Sequence, residues 1–223
     1  MTSFSPSASE IITLAQLRRW LILYSERIVE QEAYLAELDT AIGDGDHGVN
    51  MVRGFGKVRQ WLDKEGELSA DVGHLLRSVG MMLISTVGGA SGPLYGAFFL
   101  RAAKEGAGQR ELTLTQLSLL LQSGLDGVQQ RGKAQVGEKT MIDTMQPAIA
   151  ALTATAEAGG SLAAALAAAS AAAQAGMVHT IGLEATKGRA SYLGARSIGH
   201  QDPGATSAYF LFETAAQALT GDG

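Results

Sequence analysis

Through most of this chain the apolar residues recur three or four positions apart, and no stretch alternates apolar with polar as a half-buried strand must. Residues 10–38 set the pattern, with Ile11, Leu14, Leu17, Leu21, Tyr24, Ile28 and Leu35 on one helical face and Ser9 placed to cap it. The period resumes at Met51, Phe55, Val58 and Leu62, then from Val72 to Leu83 behind Ser69, until Gly88 and Gly89 stop it. Pro93 suits the first turn of a helix through Leu94 to Leu100. Further helices are expected from Thr113 or Thr115 to about Gly132, from Ala148 to Glu157 after Pro147, from Ser161 to about His179, and from Ala205 to Leu219. The expectation is an all-α fold, and 223 residues suit a single domain over 1–223.

Between the first two patterns runs Asp39 to Asn50, a short link with three carboxylates and three glycines. Asp39, Asp44 and Asp46 repel one another unless a cation or protons neutralise them. An oxygen-only set with a single nearby histidine suits a hard ion, Mg²⁺ or Ca²⁺, rather than zinc. Gly43, Gly45 and Gly48 let backbone approach a ligand, and the following helix offers free N–H groups to an anion, so a metal-bridged phosphate satisfies both halves.

Other readings of these letters fail on context. Gly43 to Gly48 matches G-x-G-x-x-G, but the preceding segment Tyr24 to Leu38 is helix-like where a dinucleotide fingerprint needs a strand. As a calcium loop opening at Asp44, the segment places Gly48 and Phe55 where ligands belong. Gly127 to Ala134 is one residue short of a P-loop and has Ala134 where a hydroxyl is needed.

Charge and composition narrow the function further. A net charge of −5 without clustered Lys and Arg argues against nucleic acid as a partner. The absence of cysteine removes thiolate metal sites, and Met1 to Ser9 lacks the features of a signal peptide, so a cytoplasmic protein is expected. Ala158 to Leu183 carries no charged residue and is long enough to span a bilayer, but its content is mainly alanine. It reads as a tightly packed interior helix, and no membrane partner is expected.

Three more stretches are candidates for binding. Gly88 to Pro93 is either an interhelical turn or a phosphate or nucleobase contact, and Gly137 to Asp143 is either a loop or a site. Lys187 to Gly204 lacks a clear period and carries Arg189 and Arg196, the available phosphate partners in a loop too long to be idle.

Taken in order, Asp39-x₄-Asp44-Gly-Asp46-His-Gly-x-Asn50, Gly89-Ala-Ser-Gly-Pro-Leu-Tyr-Gly96, Gly137-x-Lys-Thr-Met-x-Asp143, and Gly188-Arg-Ala-Ser-Tyr-Leu-Gly194 with Asp202-Pro-Gly204 resemble the nucleotide-binding L domain of dihydroxyacetone kinases, across nearly the whole chain. The resemblance implies an eight-helix antiparallel barrel with ADP or ATP at one end and two Mg²⁺ ions held by Asp39, Asp44 and Asp46. It implies nucleotide or phosphate contacts from His47, Gly48, Val49, Asn50, Ala90 and Ser91, with Gly132, Met141, Arg189, Asp202, Pro203 and Gly204 completing the pocket. His74, His179 and His200 match no motif and are expected to be ordinary structural residues.

In that family dihydroxyacetone is held by a separate K domain, for which 223 residues leave no room. The chain is therefore expected to be a free-standing L subunit, inactive on sugar alone. Its ADP would be recharged by a phosphohistidine on an M subunit and would pass the phosphoryl group to dihydroxyacetone on the K subunit. An ATP-dependent kinase subunit for another ketose such as erythrulose, a nucleotide-bound regulatory protein and a helical bundle without any of these functions stay open, as does a homodimer.

Overall fold

A computed structural model describes residues 11–220. Among these the chain forms nine α-helices: α1 Leu14–Glu30, α2 Glu32–Ile42, α3 His47–Lys64, α4 Val72–Thr86, α5 Ser91–Glu105, α6 Leu114–Gly132, α7 Ile142–Glu157, α8 Leu162–His179 and α9 Pro203–Leu219. Three short 3₁₀ segments, Gly66–Leu68, Thr180–Gly182 and Arg189–Ser197, fill connections. The all-α expectation holds apart from one two-residue ladder, in which Ile12 pairs with Leu112 and Thr13 with Glu111. So short a pairing leaves no alternation to read.

From α3 onward each helix packs against the next, and α9 returns to α1, so the ring closes. Gln31 alone separates α1 from α2, and counted as one broken helix they bring the ring to eight. Closure is held by α1, whose Trp20 Nε1 donates to the Leu211 carbonyl at 2.8 Å and whose Tyr24 hydroxyl donates to the Ser207 carbonyl at 3.1 Å. Tyr24 also meets Phe55 edge-on at 4.7 Å between ring centres, and Phe55 meets Tyr95 at 5.8 Å, joining α1, α3 and α5 in the core. A closed ring of neighbours that alternate in direction gathers the N-termini of α3, α5, α7 and α9 at one end.

Several boundaries depart from the periodicity. The helix expected over 10–38 is two helices, its cap is Thr13 in a capping box with Gln16, and Ser9 lies outside the described residues. Helix α2 runs on to Ile42, so Asp39 stands in a helical last turn and the true link is only Gly43 to Asp46. Thr113 is the cap of α6, and Ser161 that of α8.

Asp71 caps α4 in place of Ser69, because its carboxylate serves the His74 N–H at 2.7 Å and the Gly108 N–H at 3.0 Å together. Helix α7 begins at Ile142 and runs through Pro147. Proline there deprives the Asp143 carbonyl of its helical donor. Gly176 of α8 sits against that carbonyl, where any side chain would clash, so close packing accommodates the break. The Ala-rich helix is a surface helix and not the interior one expected: Ala165, Ala169 and Ala173 form a narrow buried edge, and 33% of its most apolar window is buried.

Candidate functional site

The helix ends gathered at one end of the ring surround a cleft of about 470 Å³. Its walls come from the starts of α3, α5, α7 and α9 and the ends of α2 and α6. Four helix N-termini facing one cleft favour negative charge there.

Asp39, Asp44 and Asp46 stand at this cleft with one carboxylate oxygen each, all within 4.8 Å of one another. Gly43 makes room for Asp39, since a Cβ at position 43 would fall on the Asp39 carboxylate. The His47 amide donates to Asp39 Oδ2 at 3.1 Å. Burial raises the Asp39 carboxyl above its ordinary range, the His47 amide draws it back, and the Asp44 charge adds to the rise. Hard oxygen donors this close, partly desolvated, fit a divalent cation of the magnesium kind. Asp44 Oδ2 meets Arg189 Nη2 at 2.9 Å, so the Arg189–Ser197 segment reaches back over the acidic link.

Beside the carboxylates a chain of hydroxyls leads into the core. Ser91 Oγ lies 3.1 Å from His47 Nδ1, Ser207 Oγ lies 3.0 Å from His47 Nε2, and the Tyr95 hydroxyl lies 2.9 Å from Ser207 Oγ. Both ring nitrogens of His47 are thus engaged and its orientation is set from two helices. Burial lowers the His47 pKa to about 4, so the ring is neutral at neutral pH.

The opposite wall is organised by Lys139, whose side chain is 1% exposed and whose backbone takes a left-handed φ of 60°. Its Nζ donates to the carbonyls of Thr180, Leu183 and His200, tying both ends of the 180–200 strap to the start of α7. Burial lowers the Lys139 pKa, and the charges of Asp202 and Asp143 oppose the change. Asp202 caps α9 by accepting from the Ala205 N–H at 2.7 Å. Burial raises its pKa to about 7, against the Ala205 bond and the Lys139 charge.

That shift has a testable sign. Between the ordinary value of 3.8 and about 7 the folded chain keeps a proton that the unfolded chain has released, so stability falls as pH rises across this interval. Asp202→Asn retains a capping acceptor and has no charge to bury. In EDTA and without nucleotide, it should exceed the parent in stability by on the order of a few kcal/mol at about pH 8, and by less at about pH 5, in urea titrations.

The structure gathers on this one cleft thirteen of the fifteen residues that the resemblance implies for metal or nucleotide, while Arg196, the other arginine of the long loop, is exposed and off it. Asp39, Asp44, Asp46, His47 and Asn50 stand together, Ala90 and Ser91 flank them, and Gly132, Met141, Arg189, Asp202, Pro203 and Gly204 form the rest. Gly48 and Val49 lie off the wall. Gly48 is pressed against the Glu32 carbonyl of α2, and Val49 is 52% exposed on the outer face. His74, His179 and His200 are exposed and do not line the cleft. Lys139, Tyr95 and Ser207 were not singled out for roles. The first two lay inside motifs without an evident task, and nothing near Ser207 in the sequence marks it.

Comparison with known proteins bears on the same residues. The DAK2 domain family matches residues 41–217. The chain is 46% identical over 207 residues to the ADP-binding subunit DhaL of PEP-dependent dihydroxyacetone kinase from Escherichia coli K12, covering 93% of this chain and 98% of that protein. It is 43% identical over 200 residues to the corresponding subunit of kinase 1 of Listeria innocua, covering 89% and 93%. The crystal structure of the dihydroxyacetone kinase from C. freundii in complex with AMP-PNP and Mg²⁺ superposes with a TM-score of 0.70 and 28% identity. That match covers 96% of this chain and 35% of the larger kinase, so the chain spans about a third of that protein's length.

Proposed function

This chain belongs to the DAK2 domain family, and we propose that it is the ADP-binding subunit of a phosphoenolpyruvate-dependent dihydroxyacetone kinase. The observation that carries the reading is the convergence of Asp39, Asp44 and Asp46 at a cleft of nucleotide size. It occurs in a chain that aligns with 98% of a subunit of that kind.

Asp39, Asp44 and Asp46 would hold two magnesium ions, which when bound neutralise the charge on the phosphoryl group being moved. The chain's own contribution is placement, because phosphoryl transfer asks for little else from a protein. The first turns of α3 and α5, with neutral His47, Asn50 and Ser91, hold the phosphates. Val128, Leu94, Met141 and Ile142 supply the apolar wall on which a base rests. Arg189 reaches in from the strap, where it meets Asp44 and would offer its charge to a phosphate.

In this reading ADP stays bound, takes a phosphoryl group from a phosphohistidine partner, and passes it to dihydroxyacetone on a K subunit, in a cytoplasmic setting. Native mass spectrometry of the purified protein before and after EDTA tests it. One ADP with two magnesium ions, released together by EDTA, is the expected result. A protein that is empty and takes up ATP only reversibly would replace the relay with ATP-dependent turnover.

A further inference from the structure

Arg53 stands about two helical turns beyond the acidic link, outside the wall of the cleft, and the roles assigned above make no use of it. Its Nε donates to the Thr86 carbonyl at 2.8 Å, and its Nη2 donates to Asn50 Oδ1 at 2.5 Å. Thr86 ends α4, so the guanidinium rests on a helix C-terminus, where partial negative charge collects. One side chain thereby ties the start of α3 to the end of α4, beside the glycine loop that leads to Ser91.

The chemistry of this contact decides which way Asn50 faces. A guanidinium has donors and no acceptor, so the oxygen of the Asn50 amide must be turned toward Arg53. The amide nitrogen then points the other way, on the side of Gly89, in a residue that lines the cleft. Asn50 Nδ2 has no hydrogen bond to any described residue, so it is a donor presented to the cleft. Gly88 completes the arrangement, because a Cβ there would fall on both Asn50 Oδ1 and Arg53 Nη2. The pair occupies the space a side chain at position 88 would take.

We infer that Arg53 is a positioning residue that locks the Asn50 amide with its nitrogen toward the cleft, ready to donate to a phosphate oxygen of a nucleoside diphosphate, which rests on the nucleotide reading above. Arg53 acts through Asn50 and not on the ligand. Losing Asn50 removes the donor and losing Arg53 leaves it free to swing away, so losing both costs no more than losing Asn50 alone.

The test is a double-mutant cycle on EDTA-stripped protein, with ADP and Mg²⁺ affinities measured by calorimetry and melting temperatures measured alongside. Arg53→Met and Asn50→Ala should each weaken binding about tenfold, and the double variant should also lose about tenfold. A merely structural role would lower the melting temperature and leave the two affinity losses additive. Roughly hundredfold loss in the double variant, or wild-type affinity in Arg53→Met, would overturn the inference. If Arg53→Met does not fold, Gly88→Ala displaces the pair with Arg53 still present and should show the same tenfold loss, while unchanged affinity there counts against the inference. A wild-type protein that takes up no nucleotide with magnesium brings down the site assignment itself, a different outcome from additivity in a protein that binds.

Discussion

Asp44→Asn should leave the protein folded and cost about three orders of magnitude in phosphoryl transfer, measured with the K and phosphohistidine partners supplied. The asymmetry follows from where Asp44 sits. It is exposed on the link between α2 and α3, and its recorded partner is the largely exposed Arg189 at 2.9 Å, so folding loses at most one surface ion pair worth under about 1 kcal/mol. The site loses one of three carboxylates whose oxygens lie within 4.8 Å of each other, and an amide is a far weaker ligand for a hard cation. Asp39→Asn is the instructive contrast: Asp39 is 9% exposed and its charge is raised in energy by burial and by Asp44, and an amide oxygen still accepts from the His47 N–H, so without metal that variant should match or exceed the parent in stability while losing metal. Native mass spectrometry on Asp44→Asn reads the metal directly. Retention of both ions together with parental turnover would remove Asp44 from the ligand set.

Lys139→Met should destabilise the protein by about 3 kcal/mol and loosen the strap over the cleft. The methionine fills much of the same volume but cannot donate, and the carbonyls of Thr180, Leu183 and His200 would lose their shared partner. Relief from burying a cation offsets part of that loss, which keeps the expected figure below the sum of three charged hydrogen bonds. The functional consequence follows from what the strap carries, since Arg189 and Asp202 both belong to it or to its end. Denaturant titration reads the stability, and hydrogen exchange over residues 180–202 reads the strap. Exchange unchanged from the parent would show that the strap holds itself without Lys139.

The helical period disclosed α4, α6 and α9 nearly to their ends, because each presents an apolar face to the same core, whereas α8 was bounded by its Ser161 cap and the uncharged alanine run. It passed over the break at Gln31, where neither glycine nor proline marks the interruption, and the α1–α2 join is set by how α2 packs on α3 and α9. It started α7 too late, after Pro147, whereas the helix begins at Ile142. A proline ordinarily ends a helix, and here the orphaned Asp143 carbonyl is covered by Gly176, more than twenty positions away along the chain. Ser69 and Asp71 are both acceptable caps by type, and the Gly108 amide on a distant loop favoured Asp71.

The acidic residues of the cleft were legible because their crowding is local: Asp44 and Asp46 flank one glycine, and carboxylates so placed repel one another wherever the chain goes. Arg53, Lys139 and Ser207 were not. An arginine on a helix face, a lysine in a loop and a serine in a helix are ordinary by themselves, and their partners lie at Thr86, at Thr180 to His200 and at His47. The sequence by itself determined that the chain would be helical, that three carboxylates would crowd together between Asp39 and Asp46, and which family it resembles. Closure of the ring decided that four helix starts face one cleft, which cation is buried to hold the strap, and which way the Asn50 amide points. The physical reason is that periodicity and local charge act between neighbours in the chain, whereas burial and hydrogen-bond direction exist only once distant segments are in contact.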